Sequence, residues 1–178
     1  LWRPGFAGQF RIFFLRTVKN HLSNRQYLLI NLLEPPLLAL IAALICRGSW
    51  GMDYVFMDNR NLANFFFISV VVVIFLGMSI SAEEINHDRK VLERERLLHL
   101  NWTAYILAKT FYLTLVVAVQ TALFVWPGNA ILQIPDMSFV SWMVLFACAL
   151  VSCMVGLNIS AGVRSAVNIY ILIPILLV

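Results

Sequence analysis

Long apolar runs separated by short polar stretches dominate the pattern along the chain. A helix needs roughly 20 apolar residues to cross the hydrocarbon core of a bilayer, and every backbone group within that core must be hydrogen-bonded internally. The pattern therefore predicts an all-α, polytopic transmembrane helix bundle. Five spans are expected, at about residues 24–46, 64–82, 104–126, 138–160 and 166–178. The fifth run is cut at the last residue, so we expect the sequence to be an excerpt, with residues 23–178 as its transmembrane domain.

Polar residues suited to the first turn of a helix precede the first three runs. They are Ser23 with Gln26 in a capping box for the first span, Asn61 or Asn64 for the second, and Asn101 or Thr103 for the third. After the third run, Trp126-Pro127-Gly128-Asn129 predicts a turn, with Trp126 at the membrane interface.

Residues 1–22 are not a span. Apolar residues recur there near a helical period, at Phe6, Phe10, Phe13, Phe14 and Val18, while the basic residues fall largely elsewhere around the helix. This predicts an amphipathic connecting helix in the headgroup plane, with its phenylalanines in the acyl boundary. The alternative is an ordinary helix whose apolar face packs on the protein core.

Composition supports a membrane protein, since 61% of the residues are hydrophobic and only 12% are charged, against about half and a quarter in globular domains. The three cysteines lie in or beside apolar runs without a framework spacing. We interpret Cys46, Cys148 and Cys153 as small buried side chains, and not as disulfide or metal ligands.

Lysine and arginine set the expected orientation. Of the 13 basic residues, those in the N-terminal segment, in the segment from Glu83 to Lys109 and at Arg164 fall on one side of the membrane. Arg47 and Arg60 are the two on the other side. The asymmetry predicts a cytosolic N-terminus.

Glu34-Pro35-Pro36 interrupts the first span. Proline removes backbone donors and favours a kink, and a carboxylate at this depth costs a few kcal/mol, so it should not face lipid. Glu34, Pro35 and Pro36 are therefore candidates either for the translocation path or for a structural kink.

A charged segment, residues 83–101, separates the second and third spans. It lacks proline and glycine, so a helix is expected, and the signs alternate along Glu93-Arg94-Glu95-Arg96. Such a surface is either a solvated helix or a specific protein interface, in which mixed charges select the partner. Residue patterns alone leave both open. Lys109, one turn inside the third span, is expected to reach towards the headgroups.

Glu84-x-x-His87 places a carboxylate and an imidazole on one helix face, as in carboxylate-bridged metal sites. Such sites need further ligands from facing helices, and no second Glu-x-x-His occurs in the sequence. A membrane metalloenzyme is therefore disfavoured, and we predict no metal site.

Residues 93–109, ERERLLHLNWTAYILAK, resemble the region after the second span in ABC-2-type exporter permeases, including the G subfamily of ABC half-transporters. The likeness rests on Glu93-Arg94-Glu95 before a short apolar stretch and on Tyr105-Ile106-Leu107-Ala108-Lys109 at the start of the third span. The order of connecting helix, spans and loops agrees along the whole chain.

The resemblance implies six spans, a dimer around a central cavity, and a nucleotide-binding domain that grips the charged segment. It places Glu93, Arg94, Glu95 and Arg96 on the coupling surface and gives Lys109 the role of anchoring the third span. ATP and Mg would bind to the associated nucleotide-binding domain, upstream in the same chain or on a separate subunit.

No catalytic residue is predicted within this sequence, and no GxxxxGK[ST] phosphate loop occurs in it. Any ATP hydrolysis would take place on a domain outside these residues. The expected function is the permease domain of an ATP-driven exporter. The alternative is an ion-coupled secondary transporter or a membrane scaffold without an ATPase partner. Short loops without an outer cysteine pair favour a bacterial inner membrane over a eukaryotic plasma membrane.

Overall fold

A computed structural model describes residues 5–47, 61–82, 84–85, 88, 101–134 and 136–162. These residues form five long helices and no strand: α1 (Phe6–Ser23), α2 (Arg25–Arg47), α3 (Leu62–Ala82), α4 (Trp102–Leu132) and α5 (Ser138–Gly162). Helices α2 to α5 are each long and apolar enough to cross a bilayer. The predicted all-α bundle is confirmed, and the protein is an integral membrane protein. The expected span at 166–178 lies outside the described residues.

Asparagine residues stand at the starts of three helices, as their side chains favour. Asn101 is the cap of α4, where its Oδ1 accepts hydrogen bonds from the backbone of Thr103 at 3.2 Å and of Ala104 at 3.5 Å. Asn61 directly precedes α3. The capping box predicted at Ser23 is wrong by one residue: Ser23 ends α1, and the Oδ1 of Asn24 accepts from the backbone of Tyr27 at 3.3 Å.

The predicted turn at 126–129 is also wrong, because α4 continues through Pro127 to Leu132. Packing accounts for the extension. Gly128 lies against the buried ring of Phe65, so close that a Cβ at position 128 would be 3.0 Å from Phe65 Cζ. Leu132 is fully buried one turn further on. These contacts with α3 and its neighbours favour a continued helix over the turn that proline and glycine indicate locally.

Among the described helices, α3 and α5 share the most extensive contact. Small residues allow the two backbones to approach: a Cβ at Gly77 would lie 2.6 Å from the carbonyl oxygen of Ala149. Ser152 donates a hydrogen bond of 2.5 Å to the carbonyl of Ile74, and Trp142 donates one of 3.2 Å to Ala118 of α4. Further along α5, a Cβ at Gly156 would lie 3.0 Å from the carbonyl oxygen of Met78 in α3.

Part of the apolar face of α1 packs on α4, as the alternative of a helix packed on the protein core implies, and the location of α1 in the headgroup plane stays a prediction. Phe13 is 9% exposed, and its ring meets that of Tyr105 edge-on at 5.8 Å. The ring of Phe14 lies 5.6 Å from that of Phe111. The small, fully buried side chain of Ala108 leaves room for these rings. Helix α1 therefore closes the end of the bundle at which α3 ends and α4 begins, which we call the α1 end.

Candidate functional site

A buried ion cluster occupies the α1 end of the bundle. Lys109 of α4 donates a hydrogen bond of 2.5 Å from Nζ to Oε1 of Glu84, and His21 of α1 places its Nε2 at 2.9 Å from the same oxygen. An ionised carboxylate accepts hydrogen bonds only, so His21 donates through Nε2. The side chains of Lys109 and Glu84 are each 5% exposed. Charged groups are seldom buried to this extent unless they are paired.

Two further residues complete the cluster. Nζ of Lys109 lies 2.7 Å from Oδ2 of Asp88, and the hydroxyl of Tyr105 donates to the same carboxylate at 3.2 Å. The ammonium also lies 5.9 Å from the centre of the Tyr105 ring, within the range of a cation–π contact. One lysine thus balances two carboxylates, and His21 and Tyr105 supply further donors. The ion cluster comprises Glu84, Asp88, Lys109, His21 and Tyr105.

The positions of these residues follow from the helices that carry them. Glu84 comes just after the end of α3, and Lys109 lies about two turns inside α4. The ring of His21 is stacked on that of Tyr112 with 5.0 Å between centroids. This stacking orients the imidazole towards Glu84, so α1 is fixed to α4 by rings as well as by charge.

Both ends of the charged segment, residues 83–101, are bonded to α1. At its start, Glu84 is held by His21. At its end, the backbone N–H of Asn101 donates to Oε1 of Gln9 at 3.1 Å. Helix α5 also contacts the start, since the backbone of Ile85 donates to Oγ of Ser160 at 3.0 Å. A displacement of the segment would therefore act directly on α1, α4 and α5.

Electrostatics favour the ionised form of Glu84. Burial alone raises the pKa of the Glu84 carboxyl, whereas the hydrogen bond from His21 and the charge of Lys109 lower it. The pairing outweighs the burial, and the pKa of Glu84 lies below its ordinary value. The carboxylate is charged at neutral pH, as the ion pair with Lys109 requires.

The sequence interpretation placed Lys109 near the lipid headgroups. The structure instead turns its ammonium inwards, where two carboxylates give it stronger partners than a partly hydrated interface would. The coupling residues Glu93, Arg94, Glu95 and Arg96 lie outside the described residues, and their role stays a prediction.

Glu34, Pro35 and Pro36 lie within α2, which is helical through both prolines. Pro35 is buried, and Glu34 is half-buried. Glu34 lines a cavity of about 370 Å³, with His21 and Glu84 among the other residues of its wall. Whether the three residues form a translocation path stays a prediction.

Sequence reasoning missed His21, and it treated Glu84 only as half of a disfavoured metal motif. A signal was present: Lys109 and Glu84 both lie near membrane boundaries on the side predicted to be cytosolic. A buried lysine there needs a counter-charge. Within the part of the chain that the structure describes, no group of three His, Cys, Asp or Glu side chains is arranged to hold a metal ion.

Comparison with known proteins gives one family. A family model described as "ABC-2 type transporter" matches residues 8–178, which is nearly the whole chain. No curated protein and no solved structure gave a significant match.

Proposed function

This chain belongs to the ABC-2 type transporter family, whose members are the membrane permease domains of ABC transporters, and we propose that it serves an ATP-driven exporter. On this proposal a nucleotide-binding domain contacts the charged segment, residues 83–101, on the cytosolic side. ATP binding and hydrolysis on that domain then switch the translocation path between its inward- and outward-facing forms.

The observation that carries the proposal is the attachment of both ends of the charged segment to the bundle. Glu84 is bonded to His21 of α1 and to Lys109 of α4, and Asn101 is bonded to Gln9 of α1. If the segment were joined to the bundle only through the covalent backbone, a displacement by the partner domain would change the conformation of the flanking residues and would not move the helices. A segment tied through buried charges transmits the displacement to the helices that hold those charges.

The predicted contact surface for the nucleotide-binding domain consists of Glu93, Arg94, Glu95 and Arg96. Alternating charges of this kind select a partner and fix its register more than they add affinity. ATP and Mg would bind to the partner domain, either upstream in the same polypeptide or on a separate subunit. A second copy of the membrane domain would complete the translocation path in the bilayer, in keeping with the resemblance to the G subfamily.

The basic residues support a cytosolic location for the N-terminus and the α1 end. This orientation places the ion cluster on the side where ATP is available. The short loops support a bacterial inner membrane as the location.

An ion-coupled carrier is the second candidate, and Glu34 is the observation that favours it. A carboxylate within a span is a functional group by default. Carriers of this type commonly use several such groups in a relay, and Glu34 is the one acidic residue within the described parts of α2 to α5. The family match and the attached charged segment favour the exporter.

The test is ATP hydrolysis by the full-length protein with any co-purifying subunit in lipid nanodiscs. It is run beside a variant that carries Glu93→Lys and Glu95→Lys. We expect vanadate-sensitive hydrolysis that loses its response to transported ligands in the variant. The matched control is Lys19→Glu on the exposed side of α1, which should keep the response. Absence of hydrolysis, together with absence of a nucleotide-binding partner, would overturn the proposal.

A further inference from the structure

A cavity with polar and apolar walls extends from the junction of α1 and α2 into the membrane part of the bundle. Its volume is about 370 Å³, within the range of small-ligand sites. Its polar wall includes Tyr27, Asn31, Glu34, Ser79 and Gln120. Glu34 lies nine residues beyond the start of α2, or about 14 Å along a helix that rises 1.5 Å per residue. The cavity therefore reaches well below the headgroups.

The hydrogen bonds in the wall fix which atoms are left to receive a ligand. Nδ2 of Asn31 donates to the backbone carbonyl of Tyr27 at 2.8 Å, and a carbonyl can only accept. Oδ1 of Asn31 must then face Gln120, which presents its Nε2 at 2.8 Å. The amide oxygen of Gln120 is consequently turned away from Asn31.

The amide oxygen of Gln120 is a buried hydrogen-bond acceptor without a donor among the described residues. Gln120 is 3% exposed, and its Oε1 has no hydrogen-bond partner among the described residues. A buried acceptor left unpaired costs about 1–3 kcal/mol. Such a group within a cavity wall indicates a ligand or ordered water that donates to it.

The charges in the cavity wall further restrict the chemical class of the ligand. Glu84, at one end of the cavity, is neutralised by Lys109 and His21. Glu34 has no cationic partner among the described side chains. An unpaired carboxylate together with an unpaired amide oxygen suits a group that is positively charged and donates hydrogen bonds. A protonated amine has both properties, whereas a phosphate or carboxylate would be repelled.

The apolar wall indicates what such an amine is attached to. Ile30, Leu76 and Ile80 line the cavity beside the polar groups. Ile30 is also 51% exposed, so the apolar wall of the cavity continues onto the surface of α2. An amphiphile could place its charged end inside while its apolar part remains along α2.

We propose that this cavity binds the protonated amine of an amphiphile, with the ammonium between Glu34 and the amide oxygen of Gln120. The amine can come from an aminophospholipid headgroup or from a free amphiphilic amine. The site depends on the cavity of one protomer and not on coupling to ATP.

The probe is dansylcadaverine, which joins a fluorophore to a free primary amine. Its N-acetyl derivative has the same apolar part without the charge. Binding to the full-length protein in phosphatidylcholine nanodiscs is followed by energy transfer from tryptophan, without nucleotide. We expect the wild-type protein to bind the amine at least tenfold more tightly than the acetylated probe. Glu34→Gln should abolish this preference, and Gln120→Met should weaken amine binding about three- to tenfold.

Thr114→Val is the matched control, because the Thr114 hydroxyl bonds within its own helix, to the carbonyl of Thr110 at 2.9 Å. It should bind like the wild type. Equal affinity of the wild type for both probes would overturn the proposal. So would a folded Glu34→Gln or Gln120→Met protein that retains the full wild-type preference. Two variants are used so that the misfolding of one leaves the test intact.

A second set of nanodiscs, containing phosphatidylethanolamine, identifies the source of the amine. If the lipid headgroup occupies the site, the apparent affinity for dansylcadaverine should fall at least fivefold relative to phosphatidylcholine. An unchanged affinity assigns the site to free amphiphilic amines. The binding assay contains no nucleotide, so its result does not depend on the proposed exporter function. Absence of ATP hydrolysis would contradict the exporter proposal without affecting the binding result, and the two failures are therefore distinguishable.

Discussion

The ammonium of Lys109 lies 2.5 Å from a carboxylate oxygen of Glu84, although the two residues are 25 positions apart in the sequence. The contact joins α4 to the residues that follow α3, and the imidazole of His21 connects α1 to the same oxygen. Buried pairs of this kind often add little net stability compared with apolar residues, and their best-attested use is to fix register. Here the pair fixes where the charged segment leaves the bundle.

Lys109→Met should destabilise the protein strongly. The change leaves Glu84 and Asp88 without their cation in a buried site, and breaking a buried pair from one side typically costs about 3–5 kcal/mol. Unfolding of the purified protein in mixed detergent micelles measures the change. Lys19→Met, at an exposed position on α1, is the control and should change the unfolding free energy by less than about 0.5 kcal/mol. Equal effects of the two substitutions would contradict the account.

Removal of the charges of both Glu84 and Lys109 should lower the free energy of unfolding by less than the sum of the two single changes. In Glu84→Gln with Lys109→Met, Asp88 still loses its cation, but Glu84 no longer remains as an uncompensated buried charge. Contacting residues show interaction energies of about 0.5–3 kcal/mol in such double-mutant cycles. The same unfolding assay gives the four free energies. Strict additivity would mean that the two side chains do not interact.

Acidification should weaken the fold through Glu84. Its pKa is lower in the folded protein than in the unfolded chain, where a glutamate titrates near about 4.3. The stabilisation from its ionised form is therefore fully present above that pH and is lost as the pH falls through the lower, folded value. Melting temperatures measured from pH 7 down to pH 3 should show a decline in wild type that is shallower in Glu84→Gln. Parallel curves would refute the assignment.

Gly77→Ala should disturb the contact between α3 and α5. The added methyl would lie 2.6 Å from the carbonyl oxygen of Ala149, and backbone cannot rotate away as a side chain can. Overpacking of this kind costs about 1–3 kcal/mol. Gly162→Ala is the matched control, since a Cβ there would meet no atom within 4 Å among the described residues outside its own stretch of helix. In thermal unfolding, Gly77→Ala should melt at a lower temperature than Gly162→Ala. Equal melting temperatures would show that α3 and α5 are packed less closely than described here.

Local sequence information was sufficient to predict that helices form at the described apolar runs. The four apolar runs within the described residues are helices because burial of backbone groups in lipid leaves few alternatives, and Asn101 caps α4 through contacts within three residues. The extension of α4 past Pro127 was not predictable in this way, because it depends on the packing of Gly128 against Phe65, which is 63 positions away along the chain.

The complete ion cluster was not predictable from the sequence, for the same physical reason. The pairing of His21 with Glu84 spans 63 residues and depends on how α1 packs on α4. The sequence indicated that Lys109 is unusual and that the charged segment matters, but it could not show that a lysine near the interface turns inwards. The predicted coupling surface from Glu93 to Arg96 remains a prediction from resemblance.

The central claim is that the charged segment contacts a nucleotide-binding domain, and site-specific photocrosslinking tests it most directly. Benzoylphenylalanine is placed at Arg94, and separately at Trp126, which is 64% exposed and lies near the opposite end of α4. The purified full-length protein with its co-purifying subunits is irradiated, and crosslinked peptides are identified by mass spectrometry. The account predicts that position 94 captures peptides of a nucleotide-binding domain and that position 126 does not. Capture at position 94 of lipid or membrane-helix peptides alone would contradict it.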